Sequence, residues 1–282
     1  MKRGAHMTQR SHTSEFYLIS DAVGQLTVDL LKSVAVQFPG INIKTTTYPF
    51  VQHEDNLLPI LEKAKQTGAH IVATFVKKEL DQLANDYCQK NGIYYNNVLH
   101  PLIQLVSHDT QTSPDQKPGQ RHLLNDQYYK RISALEFAVQ NDDGRYPERF
   151  KEADIVLLGI SRTSKTPLSI FLAFQGYKVA NLPLVPEAKL PEEIFQVDTN
   201  KLIGLTNDID ILNKFRRERM RSYGVDEKGL YSDDNRIEKE LQYANDVYER
   251  LQCPIINVAE RSIEETATLI LMFMNYLPTK GN

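Results

Sequence analysis

Only two cysteines occur in the sequence, Cys88 and Cys253, and they lie far apart. That excludes a disulfide framework, and no C-x-x-C spacing offers a metal site. Both thiols read as reduced and structural, which fits a reducing, cytoplasmic setting. Long apolar runs are missing too. Spanning a bilayer takes roughly 20 apolar residues, and the longest candidate, Ala267–Leu277, is short and contains Thr and Asn. No apolar signal core opens the chain. Met1–Thr13 is polar, and Gly-Ala-His-Met at residues 4–7 has the look of a cloning scar, so natural translation is expected to begin near Met7. There is no long basic run, and the net charge of −3 argues against a general nucleic-acid binder. The histidines show no metal spacing, and no G-x-S-x-G elbow signals a Ser–His–Asp hydrolase. No internal repeat is evident.

What the chain does have is enough material for a sizeable core: 282 residues, 41% of them hydrophobic. Short apolar runs alternate with helical periodicity, the signature of βαβ units and a mainly parallel sheet. Phe16–Ser20, Ile71–Val76 and Tyr94–Leu99 read as strands. Gln25–Phe38, Leu57–Gln66 and Lys77–Lys90 read as helices, with Leu26, Leu30 and Val34 on one helical face. Ser107–Gly119 has loop composition, and Asp126–Gln140 resumes as a helix ended by Asn141-Asp142-Asp143-Gly144. A second block follows. Ile155–Leu158, Tyr177–Leu182, Leu202–Leu205 and Pro254–Val258 are expected strands. Thr166–Gln175, Ile209–Tyr223, Asn235–Leu251 and Ile263–Tyr276 are expected helices. The predicted class is α/β: an N-terminal Rossmann-like parallel-sheet domain plus a C-terminal P-loop kinase-like α/β domain. The expected boundaries are a tail over 1–14, an N-terminal domain over 15–106, a linker and central helix over 107–150, and the P-loop kinase-like domain over 151–282.

The strongest chemical signal is Gly159-Ile160-Ser161-Arg162-Thr163-Ser164-Lys165-Thr166, between an apolar strand and a helix. The phosphate-loop template is G-x-x-x-x-G-K-[ST] in that same context. Gly159, Lys165 and Thr166 match, and Ser164 replaces the second glycine. Such a loop turns backbone N–H groups toward a phosphate, and the helix N-terminus adds its dipole. Lys165 reaches the terminal phosphates, and the Thr166 hydroxyl is a candidate Mg²⁺ ligand. Arg162 adds charge, and Pro167 is tolerated in the first turn.

Extended to Gly159-Ile160-Ser161-Arg162-Thr163-Ser164-Lys165-Thr166-Pro167-Leu168-Ser169, the segment resembles the signature of the pyruvate, phosphate dikinase regulatory protein family. That family also includes the phosphoenolpyruvate synthetase regulatory proteins, and a Ser in place of the second Gly is normal there. Tyr128–Ala138 with Asp142-Asp143-Gly144, Ile203–Thr206 and Arg261–Ala267 are similar to further family segments, so the resemblance runs from about Phe16 onward. Three segments depart from the family pattern: Ser20–Thr27, Asn97–Leu102 and Asn257. The resemblance implies a bifunctional enzyme and a homodimer. One activity phosphorylates a Thr of the dikinase with ADP as donor. The other removes that phosphate with inorganic phosphate as co-substrate, forming pyrophosphate.

Other residues have two readings each. Asp142 and Asp143 are candidate bases toward a Thr hydroxyl, or an ordinary solvated turn. Lys130 and Arg131 could grip the moving phosphate, or form an exposed basic pair. Arg216, Arg217, Arg219 and Arg221 on one helix could stabilise a transition state, or form a solvated face. Asp21, at the end of the first strand, is a candidate base or a helix N-cap. Two rival functions share the loop: a small-molecule kinase using ATP, and a nucleotide-sensing module without catalysis.

Overall fold

A computed structural model describes residues 13–120, 126–222 and 234–274 of the chain. Residues 1–12 of the tail expected over 1–14, the scar at 4–7 among them, lie outside the described residues, and Thr13 and Ser14 belong to the first strand instead. The chain divides into two compact units, Met1–Leu123 and Leu124–Asn282. Each is α/β with one four-stranded parallel sheet. Among the described residues, no helix is long and apolar enough to cross a membrane.

The first unit runs β1 (Thr13–Ser20), α1 (Gln25–Ala35), β2 (Asn42–Tyr48), α2 (Glu54–Thr67), β3 (His70–Thr74), α3 (Lys78–Asn91), β4 (Tyr95–Asn97) and α4 (His100–Thr110), with strand order β2-β1-β3-β4. Helical spacing explains one face of the sheet. Leu57, Leu61 and Ala64 of α2 and Leu80, Ala84 and Cys88 of α3 pack on Tyr17, Ile19, Ile71 and Ala73. Left-handed Gly68 and Gly92 end these two helices. The other face meets α1 through Leu31, packed with Leu18 and Val72. Leu26, Leu30 and Val34 of α1 share a face as expected, yet that face is exposed. Helix α1 carries two apolar stripes, and the one at Thr27, Val28 and Leu31 meets the sheet. Two elements went unread in the sequence. Strand β2 has no apolar run and pairs along the edge of β1. Helix α4 buries none of its residues, and it extends to Thr110, into the segment expected to be loop.

The second unit runs α5 (Asp126–Gln140), β5 (Ile155–Gly159), α6 (Lys165–Phe174), β6 (Val179–Pro183), β7 (Leu202–Thr206), α7 (Ile209–Ser222), α8 (Asp234–Leu251), β8 (Ile255–Asn257) and α9 (Ile263–Phe273), with strand order β6-β5-β7-β8. Strand β5 is central and entirely buried, which is why it reads as an unbroken apolar run. Val156 and Leu158 point to a layer with Ala244, Val247 and Tyr248 of α8. Ile155 and Leu157 point to a layer with Leu168 and Leu172 of α6 and Ile270 of α9. Helix α5 belongs with this unit rather than with a linker, because Ala134 and Ala138 pack on Ala173 of α6.

At Gly204 the backbone of β7 lies directly against an aromatic ring. A Cβ there would stand 2.8 Å from the Tyr248 ring, whose hydroxyl donates to Leu205 O at 2.8 Å. Gly204→Ala is therefore expected to destabilise the second unit by about 1–3 kcal/mol. Urea unfolding followed by circular dichroism checks this, and an unchanged midpoint would show that the ring yields freely.

Candidate active site

Strand β5 delivers the chain into the loop at Gly159, and the loop closes into α6 at Lys165. Gly159 has no room for a side chain. A Cβ would lie 2.5 Å from Thr163 Oγ1 and 2.9 Å from Leu205 O. Two later residues, Arg162 (φ 76) and Ser164 (φ 58), adopt the left-handed conformation. This gives the missing glycine a physical meaning. The position where the loop template has Gly does require positive φ, and Ser164 adopts it at a cost of roughly 1–2 kcal/mol.

The loop's carbonyls are held by named donors. Ile160 O accepts from Thr163 Oγ1 and from Lys165 Nζ, each at 2.9 Å. Ser161 O accepts from Arg216 Nη2 at 3.4 Å. Arg162 O accepts from Asn207 Nδ2 at 3.5 Å. By contrast, the amides of Arg162, Thr163 and Ser164 donate to no group among the described residues. The Arg162 guanidinium adds Nε and Nη2, buried and without a hydrogen-bond partner among the described residues. Donors of this kind, gathered at a helix N-terminus, suit a phosphate or another anion.

A carboxylate stands beside them. After α5, Asn141 is fully buried, and the chain turns through Asp142, Asp143 (φ 54) and Gly144 (φ 67). Thr166 Oγ1 donates to Asp142 Oδ1 at 3.0 Å. Asn181 of β6, also fully buried, sets this turn. Its Nδ2 donates to Asp142 Oδ1 at 2.6 Å and its Oδ1 accepts the Asp143 amide at 3.0 Å. Asn181 Nδ2 also lies 3.2 Å from Ser169 Oγ. The sequence reading missed Asn181, Asn207 and Ser169. A signal for Asn181 was present: a lone amide inside the apolar strand Val179-Ala180-Asn181-Leu182 must find partners.

The structure thus brings Gly159, Ile160, Ser161, Arg162, Thr163, Ser164, Lys165, Thr166, Asp142 and Asp143 into one place. It does not bring Arg131 there. Arg131 Cγ lies 3.8 Å from the Cβ position of Gly176, beyond the far end of α6, and a ten-residue helix is about 15 Å long. Asp21 belongs to the first unit. Its Oδ2 accepts the amides of Val76 (2.8 Å) and Lys77 (3.3 Å), and burial raises its pKa. It does not cap α1, whose N-cap is Gly24 with no side-chain bond. Arg216, expected on a solvated face or over the nucleotide, is fully buried.

Burial pushes the Lys165 ammonium down to about 8, against the opposing pull of Asp143 and Asp142. An arriving phosphate favours the charged form. Binding of a phosphate-bearing anion at about pH 9 should therefore take up a proton, and at about pH 6.5 it should take up almost none at this group. Calorimetry in buffers of different ionisation enthalpy measures this, and equal uptake at both values would contradict it.

Residues 16–271 match the model of the family described as "Kinase/pyrophosphorylase". A protein of Pediococcus pentosaceus named "Putative pyruvate, phosphate dikinase regulatory protein" is 46% identical over 94% of this chain and 98% of its own length. A protein of the same name from Lacticaseibacillus casei is 47% identical over 92% of this chain and 94% of its own. One from Enterococcus faecalis, numbered 2 under that name, is 45% identical over 92% and 94%. Among solved structures, a glucose-galactose binding protein from Geobacillus stearothermophilus covers 89% of this chain and 95% of its own at 13% identity, with a TM-score of 0.24 that carries no argument. With a family model spanning both sheets and relatives matched almost end to end, the chain belongs to the kinase/pyrophosphorylase family.

Proposed function

We propose that the second unit moves a phosphoryl group between ADP and a Thr of pyruvate, phosphate dikinase. In the forward direction the Thr hydroxyl oxygen attacks the β-phosphorus of ADP, the bond to the bridging oxygen breaks, and AMP leaves. In reverse, an oxygen of inorganic phosphate attacks the phosphothreonine phosphorus. The Thr hydroxyl is restored and pyrophosphate leaves. Both directions transfer the same group, so one phosphate cradle serves both.

The observation that carries this reading is the meeting of the 159–166 loop with Asp142. Loop amides that donate to no group among the described residues, together with Lys165, hold the migrating group and offset its growing charge. An Asp142 or Asp143 carboxylate accepts the proton that the Thr hydroxyl gives up. The Thr166 hydroxyl and the Asp142 carboxylate, 3.0 Å apart, form an all-oxygen pair that suits Mg²⁺. Thr166 and Asp142 would hold Mg²⁺, and the ion would supply neutralisation of phosphate charge. The relatives' shared name supports the dikinase as target.

The test is to incubate the protein with the dikinase and ADP, then with the phosphorylated dikinase and phosphate. Mass spectrometry should locate phosphothreonine in the first case and pyrophosphate should appear in the second. Use of ATP with a free metabolite as acceptor would replace this reading by that of a small-molecule kinase.

A further inference from the structure

Arg216 is the largest fully buried side chain among the described residues. A guanidinium removed from water is tolerated only when paired and hydrogen-bonded. Glu240 of α8 supplies the pairing, at 2.6 Å (Nη2–Oε2) and 3.4 Å (Nη1–Oε1). Glu240 is itself buried and is also held by Arg236 Nε at 3.3 Å. An apolar pair of similar volume would join α7 to α8 as well as this ion pair does. What the apolar pair could not supply is the third contact, Arg216 Nη2 to Ser161 O at 3.4 Å.

We propose that the Arg216–Glu240 pair is a positioning device for the 159–166 loop, resting on the reading of that loop as a phosphate cradle. Fixing the Ser161 carbonyl fixes the peptide plane it shares with the Arg162 amide. That amide is one of those with no acceptor among the described residues. On either side, Thr163 and Lys165 hold Ile160 O, and Asn207 holds Arg162 O. Three successive carbonyls are thereby turned onto protein donors, and the intervening amides face the anion already oriented. Dipoles fixed in advance need no reorganisation when charge develops. Full burial and the Glu240 pairing keep Arg216 off the phosphates, so its role is to shape the loop and not to touch the transferred group.

The decisive comparison is the double variant Arg216→Met/Glu240→Leu in the full chain. It removes both charges together, so neither is left buried and alone. A purely structural pair predicts a variant that folds and works like the wild type. A positioning pair predicts a folded variant with at least roughly tenfold lower kcat and, with phosphate saturating the loop, roughly tenfold faster hydrogen exchange in the 160–164 peptide, with exchange in β5 unchanged. Wild-type exchange in that peptide overturns the proposal whatever the activity. Where the double variant fails to fold, Arg216→Lys keeps the charge beside Glu240 and loses the planar fork. It should show the same faster loop exchange, and wild-type exchange there overturns the proposal equally. Wild-type loop exchange that neither phosphate nor ADP slows would refute the cradle reading, whereas slowing in the wild type that the variant retains in full would refute the positioning role alone.

Discussion

Lys165→Met is expected to lower phosphoryl transfer by roughly 10²–10³-fold and, near neutral pH, to make the protein more stable. The loss of rate follows from removing the one ammonium among the loop's donors. The gain in stability follows from burial. Folding holds the Lys165 ammonium down at about 8 against an ordinary 10.5. Below pH 8 the unfolded and folded states are both charged, and the folded state bears the full penalty of a buried charge. Between 8 and 10.5 the unfolded chain binds the extra proton, so stability rises with pH and the penalty fades. Methionine, of similar length and uncharged, escapes it altogether. At about pH 7 the variant should gain at most on the order of 3 kcal/mol. That gap should close by about pH 10.5, as urea unfolding at several pH values would show. A variant that is destabilised equally at every pH would mark Lys165 as a structural residue. Opposite signs for stability and rate are what a functional lysine predicts.

Asp142→Asn should lower single-turnover transfer by roughly 10²-fold or more while moving the melting temperature little. The substitution keeps an oxygen to accept from Thr166 Oγ1 and from Asn181 Nδ2, so the turn can hold its shape. What disappears is the negative charge and its capacity to take a proton. Asp143→Asn, made in parallel, separates the two carboxylates: Asp143 is exposed, and its side chain does not anchor the turn. Transfer by Asp142→Asn within about threefold of wild type would remove Asp142 from the chemistry.

The parts of the site that were legible in the sequence were the local ones. Strand, loop and helix carry Gly159, Lys165 and Thr166 within eight residues, so their spacing alone places them together. Arg131 shows the limit of sequence proximity. It lies eleven residues before Asp142, nine of them to the end of α5, and a helix advances about 1.5 Å per residue. A short separation in sequence therefore becomes a long one in space. Asn181 shows the converse: 39 residues from Asp142 in sequence, it meets the carboxylate at 2.6 Å. Elements followed the same logic. Strand β5 was legible because it is buried on both faces, whereas the Thr-rich β2 has no apolar run to announce it. For α1, periodicity identified the helix, but either of two apolar stripes could have met the sheet, and only packing chose between them.

Strand β6 joins two kinds of order that are usually separate. Within the sheet, Asn181 stands opposite Leu157 of β5, so its place is fixed by the ladder. Through its side chain it also fixes Asp142 and Asp143. Side chains alternate faces along a strand, so a slip of β6 by one residue would turn Asn181 to the opposite layer and release the acidic turn from the loop. The pairing register of an edge strand thus acts as a ruler for the active site. The apolar neighbours that lock that register, Val179, Ala180 and Leu182, thereby help to keep the carboxylate in place.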